Sequence, residues 1–410
     1  MNYLIIFTII LSIVFIVRNK FDYLFFFFIS LLLYHWHIVY GVVYIPPYSH
    51  TASRGSQYII GVIYLAIIFN MLLPKRQIDS IKKLKWLKLD NKFNSIILIT
   101  ISFIFVIASA LIAGAYIYES KTVYSEQENI PYSNLLIAFP SAMALIYGIR
   151  FNNKLIILFA AIPLLYYVII GYRAIVVIGI VAIIVNKYKN IKLLGLKMFK
   201  LVGLLAGVFL FFAVYKISYI AIKQGEFDYF DKIILTDSRF QTHQDYILWS
   251  LFSAEFGVIS SNLSTAAELR NTVIAEQYNI LNTFIATVPL TTRAFTFDTT
   301  VRFAEFIDQY AIHGFGFGLG SSFWGELYLS GGYLLVFIGA SAVLIIIRYF
   351  DNLSNDMTNK YIHFTYLAAY LAFSIHKTDI ISLIGVIKSM FFILCVCYTI
   401  RQVVGSPIVK

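Results

Sequence analysis

Residues 96–113 read IILITISFIFVIASALIA, a stretch of 18 residues without a charged side chain. A helix needs about 20 such residues to cross the hydrocarbon core of a bilayer. Comparable stretches recur along the 410 residues, of which 60% are hydrophobic and 13% are charged. Soluble domains carry about 25% charged residues, and the mean hydropathy here is +0.79. The composition therefore excludes a soluble fold.

The spacing of the apolar stretches predicts an all-α fold. We expect one integral-membrane domain over residues 1–410, a polytopic bundle of about eleven transmembrane helices, and one large outer loop at 223–327 that contains short helices. The predicted spans are 2–17, 22–44, 57–73, 95–118, 134–149, 155–171, 174–186, 199–221, 328–347, 361–376 and 380–400.

The positions of lysine and arginine predict how this bundle lies in the membrane. Residues 75–94 contain seven basic side chains, and cytoplasmic loops retain such charges. The loop 119–133, with three glutamates, then lies outside. The amino terminus is predicted outside and the carboxyl terminus in the cytoplasm. Because these clusters account for the net charge of +11, we expect no nucleic-acid partner.

The segment 223–327 is too long and too polar to be a simple connection. It contains twelve acidic residues, six basic residues and two histidines, and long loops of this kind are usually functional. Within it, residues 245–259 and 266–288 mix apolar and polar side chains and are predicted to form helices lying at the membrane surface.

Arg173 stands in the sequence Gly-Tyr-Arg-Ala between two predicted spans. A permanent charge at this depth is costly and usually functional, although a snorkelling arginine that ends a helix has the same appearance. The planar guanidinium donates two parallel hydrogen bonds, which suits a phosphate. We therefore predict that Arg173 binds a pyrophosphate-linked lipid.

Charged and aromatic side chains alternate between residues 293 and 308. Arg293, Asp298 and Arg302 lie among phenylalanines, a mixture that favours a sugar-binding groove. The alternative is a solvated amphipathic helix in which Arg302 pairs with Glu305, three residues later.

His313 opens a glycine-rich stretch that leads through Trp324 to Glu326 at the entrance of the next span. The stretch lacks the Gly-Lys-Ser/Thr of a phosphate-binding loop for nucleotides. A buried carboxylate or an imidazole here could take a proton from an attacking hydroxyl, so Glu326 and His313 are the predicted catalytic residues. Glu326 could equally orient Arg173 or cap a helix.

No cofactor is predicted. Cys395 and Cys397 fall within one apolar span, which supports neither a disulfide nor a zinc site. Because no aspartate cluster suits a divalent cation, we predict an activity that is independent of metal ions.

Two motifs carry a resemblance to a known family. The turn Gly-Tyr-Arg-Ala at 171–174 and the stretch GSSFWGELYLSGG at 320–332, together with basic inner loops and a late outer loop, resemble the Wzy O-antigen polymerases, also called oligosaccharide repeat unit polymerases. Arg173 looks like the family's arginine and Glu326 like its glutamate, whereas Arg293 and Arg302 are only loosely placed. An arginine followed by glycine after ten intervening residues, as in some members, does not occur after Arg293 or Arg302.

This resemblance implies a membrane-embedded glycosyltransferase, similar to the GT-C type, in the bacterial inner membrane. Its implied substrates are oligosaccharides linked to undecaprenyl pyrophosphate, which it joins at the periplasmic face with release of undecaprenyl pyrophosphate. Membrane lipid is an implied partner. The resemblance also makes a chain-length regulator protein a candidate partner.

Two other functions fit parts of the pattern. An O-antigen ligase uses the same donor, and His313 is compatible with it. A flippase for lipid-linked oligosaccharides would be a protein without enzymatic activity, but flippases usually lack a loop of about a hundred residues.

Overall fold

The computed structural model of the chain describes residues 3–45, 48–74, 91–118, 124, 128, 133–172, 174–188, 195–224, 242, 244, 256–287, 302–310, 321–354 and 363–404. In chain order the elements are α1 (Tyr3–Arg18), α2 (Tyr23–Tyr40), β1 (Val42–Ile45), β2 (Tyr48–Thr51), α3 (Arg54–Leu72), α4 (Asn91–Ala113), α5 (Ser133–Arg150), α6 (Lys154–Ile170), α7 (Ala174–Tyr188), α8 (Leu196–Gln224), α9 (Phe256–Leu269), α10 (Ile280–Ala286), α11 (Phe303–Tyr310), α12 (Phe323–Ser354), α13 (Phe364–Ser374) and α14 (Ile380–Val404). Short 3-10 helices cover Gly114–Tyr118, Val273–Gln277 and Ile375–Lys377.

The described residues form an all-α membrane protein with one small hairpin, in which β1 pairs antiparallel with β2. Among them, five helices have the length and apolar composition needed to cross a membrane, and five more apolar helices are shorter. On α6, Leu158, Ile162, Leu165 and Ile169 are all exposed. Their spacing of three and four residues places them on one face, which suits contact with lipid. The prediction of an all-α membrane protein is confirmed, and helices cover most of the described residues in the predicted spans; span 22–44 ends in β1.

Polar caps and glycines set the helix ends. The side chain of Asp22 accepts a hydrogen bond from the backbone N–H of Phe25 at the start of α2, over 3.0 Å. Gly171 ends α6 with a φ of 108°, a conformation that glycine adopts without steric cost. Gly171 therefore ends α6 three residues before α7 begins at Ala174.

The long helix α12 is broken at Gly332, whose φ of 65° and ψ of −160° lie outside the helical region. A break leaves nearby backbone carbonyls without their helical partners. The guanidinium of Arg270, which follows α9, donates a hydrogen bond to the carbonyl of Leu329. Arg270 thereby stabilises the broken helix from the neighbouring segment.

Helix α9 lies inside the bundle, where it packs against α2, α3, β1, α11 and α12. The sequence predicted surface helices on either side of residues 260–265, but residues 256–267 are all buried. The reason is that its hydroxyls find partners within the protein. Ser260 donates to the carbonyl of Tyr34 over 3.0 Å, and the hydroxyl of Ser264 accepts from the backbone N–H of Ser53 over 2.9 Å.

A small second core joins the segments of the predicted outer loop. It is formed by side chains of α9, α11, the turn between α9 and α10, and the first part of α12. Its buried members are Ala266, Ala275, Tyr278, Phe303, Phe306, Ile307 and Leu329. This core places the loop segments directly over the start of α12.

Candidate functional site: a buried carboxylate cluster

Two carboxylates and two hydroxyls are buried where the second core meets the starts of α12 and α14. We refer to Tyr278, Thr283, Glu326 and Asp379 as the carboxylate cluster. Glu326 is fully buried and Asp379 is 1% exposed. Carboxylates are almost never buried to this degree unless they are paired, so nearby donors must stabilise them.

Glu326 is held by two donors. The hydroxyl of Tyr278 donates to its Oε1, and the backbone N–H of Ile380, the first residue of α14, donates to its Oε2 over 2.7 Å. Helix N-termini stabilise negative charge because their first N–H groups have no helical partner. Glu326, in the first turn of α12, therefore connects the loop segment to α14 and caps that helix.

Asp379 lies at the same helix start but is held by one oxygen only. Its Oδ1 accepts from the backbone N–H of Ser382 over 2.8 Å, the usual geometry of an N-cap. Its Oδ2 is buried and has no hydrogen-bond partner. Asp379 also interacts electrostatically with Glu326, Tyr278 and Tyr370.

Tyr278 is fixed from both sides. Its ring lies 5.4 Å from the ring of Phe303 and 5.3 Å from that of Phe306, both on α11. Its hydroxyl is 2.9 Å from the hydroxyl of Thr283. Burial, together with the charge of Glu326, raises the pKa of Tyr278 above its ordinary value. The phenol therefore keeps its proton and donates a hydrogen bond to the carboxylate.

A buried histidine lies beside the cluster on the segment between α13 and α14. The indole Nε1 of Trp324 donates to Nδ1 of His376 over 2.9 Å. The ring of His376 lies 4.7 Å from that of Phe27 and 6.2 Å from that of His35. These contacts fix the start of α12, and thus Glu326, against α2 and the end of α13.

The structure places two of the six predicted site residues. Glu326 belongs to the carboxylate cluster, where it has the capping role that was one alternative for it. Arg302 lies just before α11 and forms an ion pair with Glu305, with 3.5 Å between Nη1 and Oε1. Its side chain is 51% exposed, as in the alternative of a solvated amphipathic helix. Arg173, Arg293, Asp298 and His313 lie outside the described residues.

Sequence reasoning missed Tyr278 and Asp379. Asp379 has a local signal, because Asp-Ile-Ile-Ser before an apolar run is typical of a helix N-cap. That signal predicts a cap and says nothing about a nearby glutamate. Tyr278 lies in a stretch of mixed polarity and has no comparable signal.

Within the part of the chain that the structure describes, there is no group of three or more histidine, cysteine, aspartate or glutamate residues that could hold a metal ion. Cys395 and Cys397 are both free thiols. Comparison with known proteins adds no relative: no family model, no curated protein and no solved structure matches this chain.

Proposed function

We propose that this protein is an O-antigen polymerase, which joins oligosaccharide repeat units carried on undecaprenyl pyrophosphate. The observation that carries the proposal is the buried carboxylate cluster, formed where the loop segments 273–287 and 303–310 pack over the starts of α12 and α14. A carboxylate held in an apolar membrane protein beside a large polar loop suits proton transfer at the membrane boundary.

The proposed topology has eleven crossings in the bacterial inner membrane, with a periplasmic amino terminus and a cytoplasmic carboxyl terminus. Contacts between helix ends support it. Ser264 of the loop hydrogen-bonds to Ser53 at the start of α3, an end that the charge pattern assigns to the periplasm. Arg348, near the end of α12, donates to the carbonyl of Asn70 near the end of α3, and both positions are assigned to the cytoplasm.

In the proposed reaction, a hydroxyl of one lipid-linked repeat unit attacks the anomeric carbon of the growing chain. The new glycosidic bond forms as the bond from that carbon to the pyrophosphate oxygen breaks, and the electron pair leaves with undecaprenyl pyrophosphate. The proton of the hydroxyl passes to a protein base, for which Glu326 and His313 are the predicted residues.

The leaving group gains negative charge, so cations that stabilise it contribute most to the rate. Arg173, Arg293 and Arg302 are proposed for this role, with Asp298 binding sugar hydroxyls.

The lipopolysaccharide banding pattern of a strain that lacks the gene tests this function. Loss of polymerase activity leaves a single repeat unit on the lipid A core. Loss of a ligase or a flippase leaves no repeat unit there, and that result would overturn the proposal.

Replacing Arg173 by Ala sharpens the same test. We expect the single-unit pattern while the protein remains at its normal level in the membrane, because the departing pyrophosphate loses its cation. A full ladder of bands from this variant would reject the role of Arg173. It would not reject the proposed polymerase function, because the deletion strain tests that function separately.

A further inference from the structure

The two carboxylates at the start of α14 differ in how many of their oxygens are engaged. Both oxygens of Glu326 accept hydrogen bonds, from Tyr278 and from Ile380. Asp379 uses Oδ1 to cap the helix, and its buried Oδ2 has no partner. Among the buried side-chain atoms of the described residues that lack a hydrogen-bond partner, Oδ2 is the one carboxylate oxygen, and such an atom can mark a catalytic role.

The surroundings of Asp379 come from three elements. The charge of Asp379 acts on Glu326 of α12, on Tyr278 of the loop segment and on Tyr370 of α13. Lys377, two residues earlier, has its ammonium 5.5 Å from the ring centre of Tyr34. A second carboxylate and two phenols are thus among the ionisable groups that neighbour Asp379.

We propose that Asp379 is the proton acceptor of the glycosyl transfer, and that Glu326 and Tyr278 are positioning residues that hold it at the start of α14. This inference rests on the proposed function and assigns its base to Asp379, in place of Glu326 and His313, which the sequence predicted. Oδ2 takes the proton of the attacking hydroxyl as the glycosidic bond forms, and the electron pair of the broken bond leaves with the pyrophosphate. Because Asp379 is 1% exposed, the elements packed around it must separate to admit the acceptor sugar.

The variant Asp379→Asn separates the two roles of this side chain. Asparagine caps a helix about as well as aspartate, so its carbonyl oxygen can still accept from Ser382. It cannot take a proton at neutral pH. General base catalysis contributes about 100- to 10,000-fold to a rate, so we expect kcat to fall by about that factor while KM and the unfolding temperature stay near their wild-type values.

The assay uses the full-length protein in lipid nanodiscs, with lipid-linked repeat units extracted from the strain that lacks the gene. Asp22→Asn is the control for turnover, because Asp22 also caps a helix through Oδ1, at the start of α2, although it pairs with Arg18 as well. We expect wild-type turnover from that variant. If Asp379→Asn also turns over at the wild-type rate, the inference is overturned while the polymerase stands. If the wild-type protein itself extends no chain, the proposed function fails and the inference falls with it.

Discussion

The two ends of α13 are both lined with buried polar side chains, but of different kinds. At its start, Tyr147 and His363 lie 3.3 Å apart between Oη and Nδ1, and Asn186 donates to Thr365 over 3.4 Å. Beyond its end lie the carboxylates Glu326 and Asp379. With 11 residues, α13 separates the two groups by about 16 Å along its axis.

The two kinds of polar group differ in what they cost to bury. Hydrogen bonds between neutral side chains in a membrane bundle are worth about 0.6 kcal/mol on average, and they fix how helices meet. A buried carboxylate costs much more to desolvate. Neutral pairs are enough to align helices, and the proton transfer that we propose would give the carboxylates at the other end a role beyond packing.

The largest expected effect on stability comes from Glu326→Leu. The substitution leaves the N–H of Ile380 buried without an acceptor, and it leaves the hydroxyl of Tyr278 with Thr283 in place of a carboxylate. An orphaned donor costs about 1–3 kcal/mol and a hydrogen bond to a charged group is worth about 1.5–3 kcal/mol, so the free energy of unfolding should fall by about 2.5–6 kcal/mol. Thermal unfolding in detergent measures it.

Glu326→Gln is the control, because its amide oxygen can serve one of the two donors and should lower stability by less. Equal stability of Glu326→Leu and the wild type would show that the cluster does not hold the loop segment to α14.

The sequence predicts the helices well because of one strong constraint. In lipid, a backbone must satisfy its own hydrogen bonds, so each long apolar stretch has to be helical. The stretch 96–113 needs no tertiary information to become the main part of α4. The burial of α9 was not predictable in this way, because its hydroxyls are satisfied by Tyr34 and Ser53, far away in the chain.

The site could be predicted only in part, for a related reason. Glu326 drew attention because a carboxylate at the entrance of a span is unusual. Its partners Tyr278 and Ile380 lie 48 and 54 residues away in sequence. No local pattern connects them. That Asp379 and Glu326 meet at the start of α14 is known only from the structure.

The next largest effect on stability is expected from Tyr278→Phe, and Tyr147→Phe is its comparison. Tyr278→Phe keeps the ring packing on α11 but removes a hydrogen bond to a carboxylate, which is worth about 1.5–3 kcal/mol. Tyr147→Phe removes a bond to the neutral His363, worth about 0.5–1.5 kcal/mol. We expect the first variant to unfold at a lower temperature than the second, and to show a lower kcat because Glu326 loses its donor.

Chain extension and thermal unfolding, measured on the same samples, check both expectations. Similar losses of stability and activity in the two variants would remove the distinction between the two ends of α13.

The smallest effect on stability is expected from Arg302→Ala. The pair with Glu305 is 3.5 Å long and both side chains are more than half exposed, and such pairs contribute about 0–1 kcal/mol. Glu305→Ala breaks the same pair and keeps the guanidinium, so the two variants should unfold alike. If Arg302 binds the pyrophosphate, only Arg302→Ala raises KM for the lipid-linked repeat unit. If both variants keep the wild-type KM, Arg302 has no part in substrate binding and serves only as the partner of Glu305.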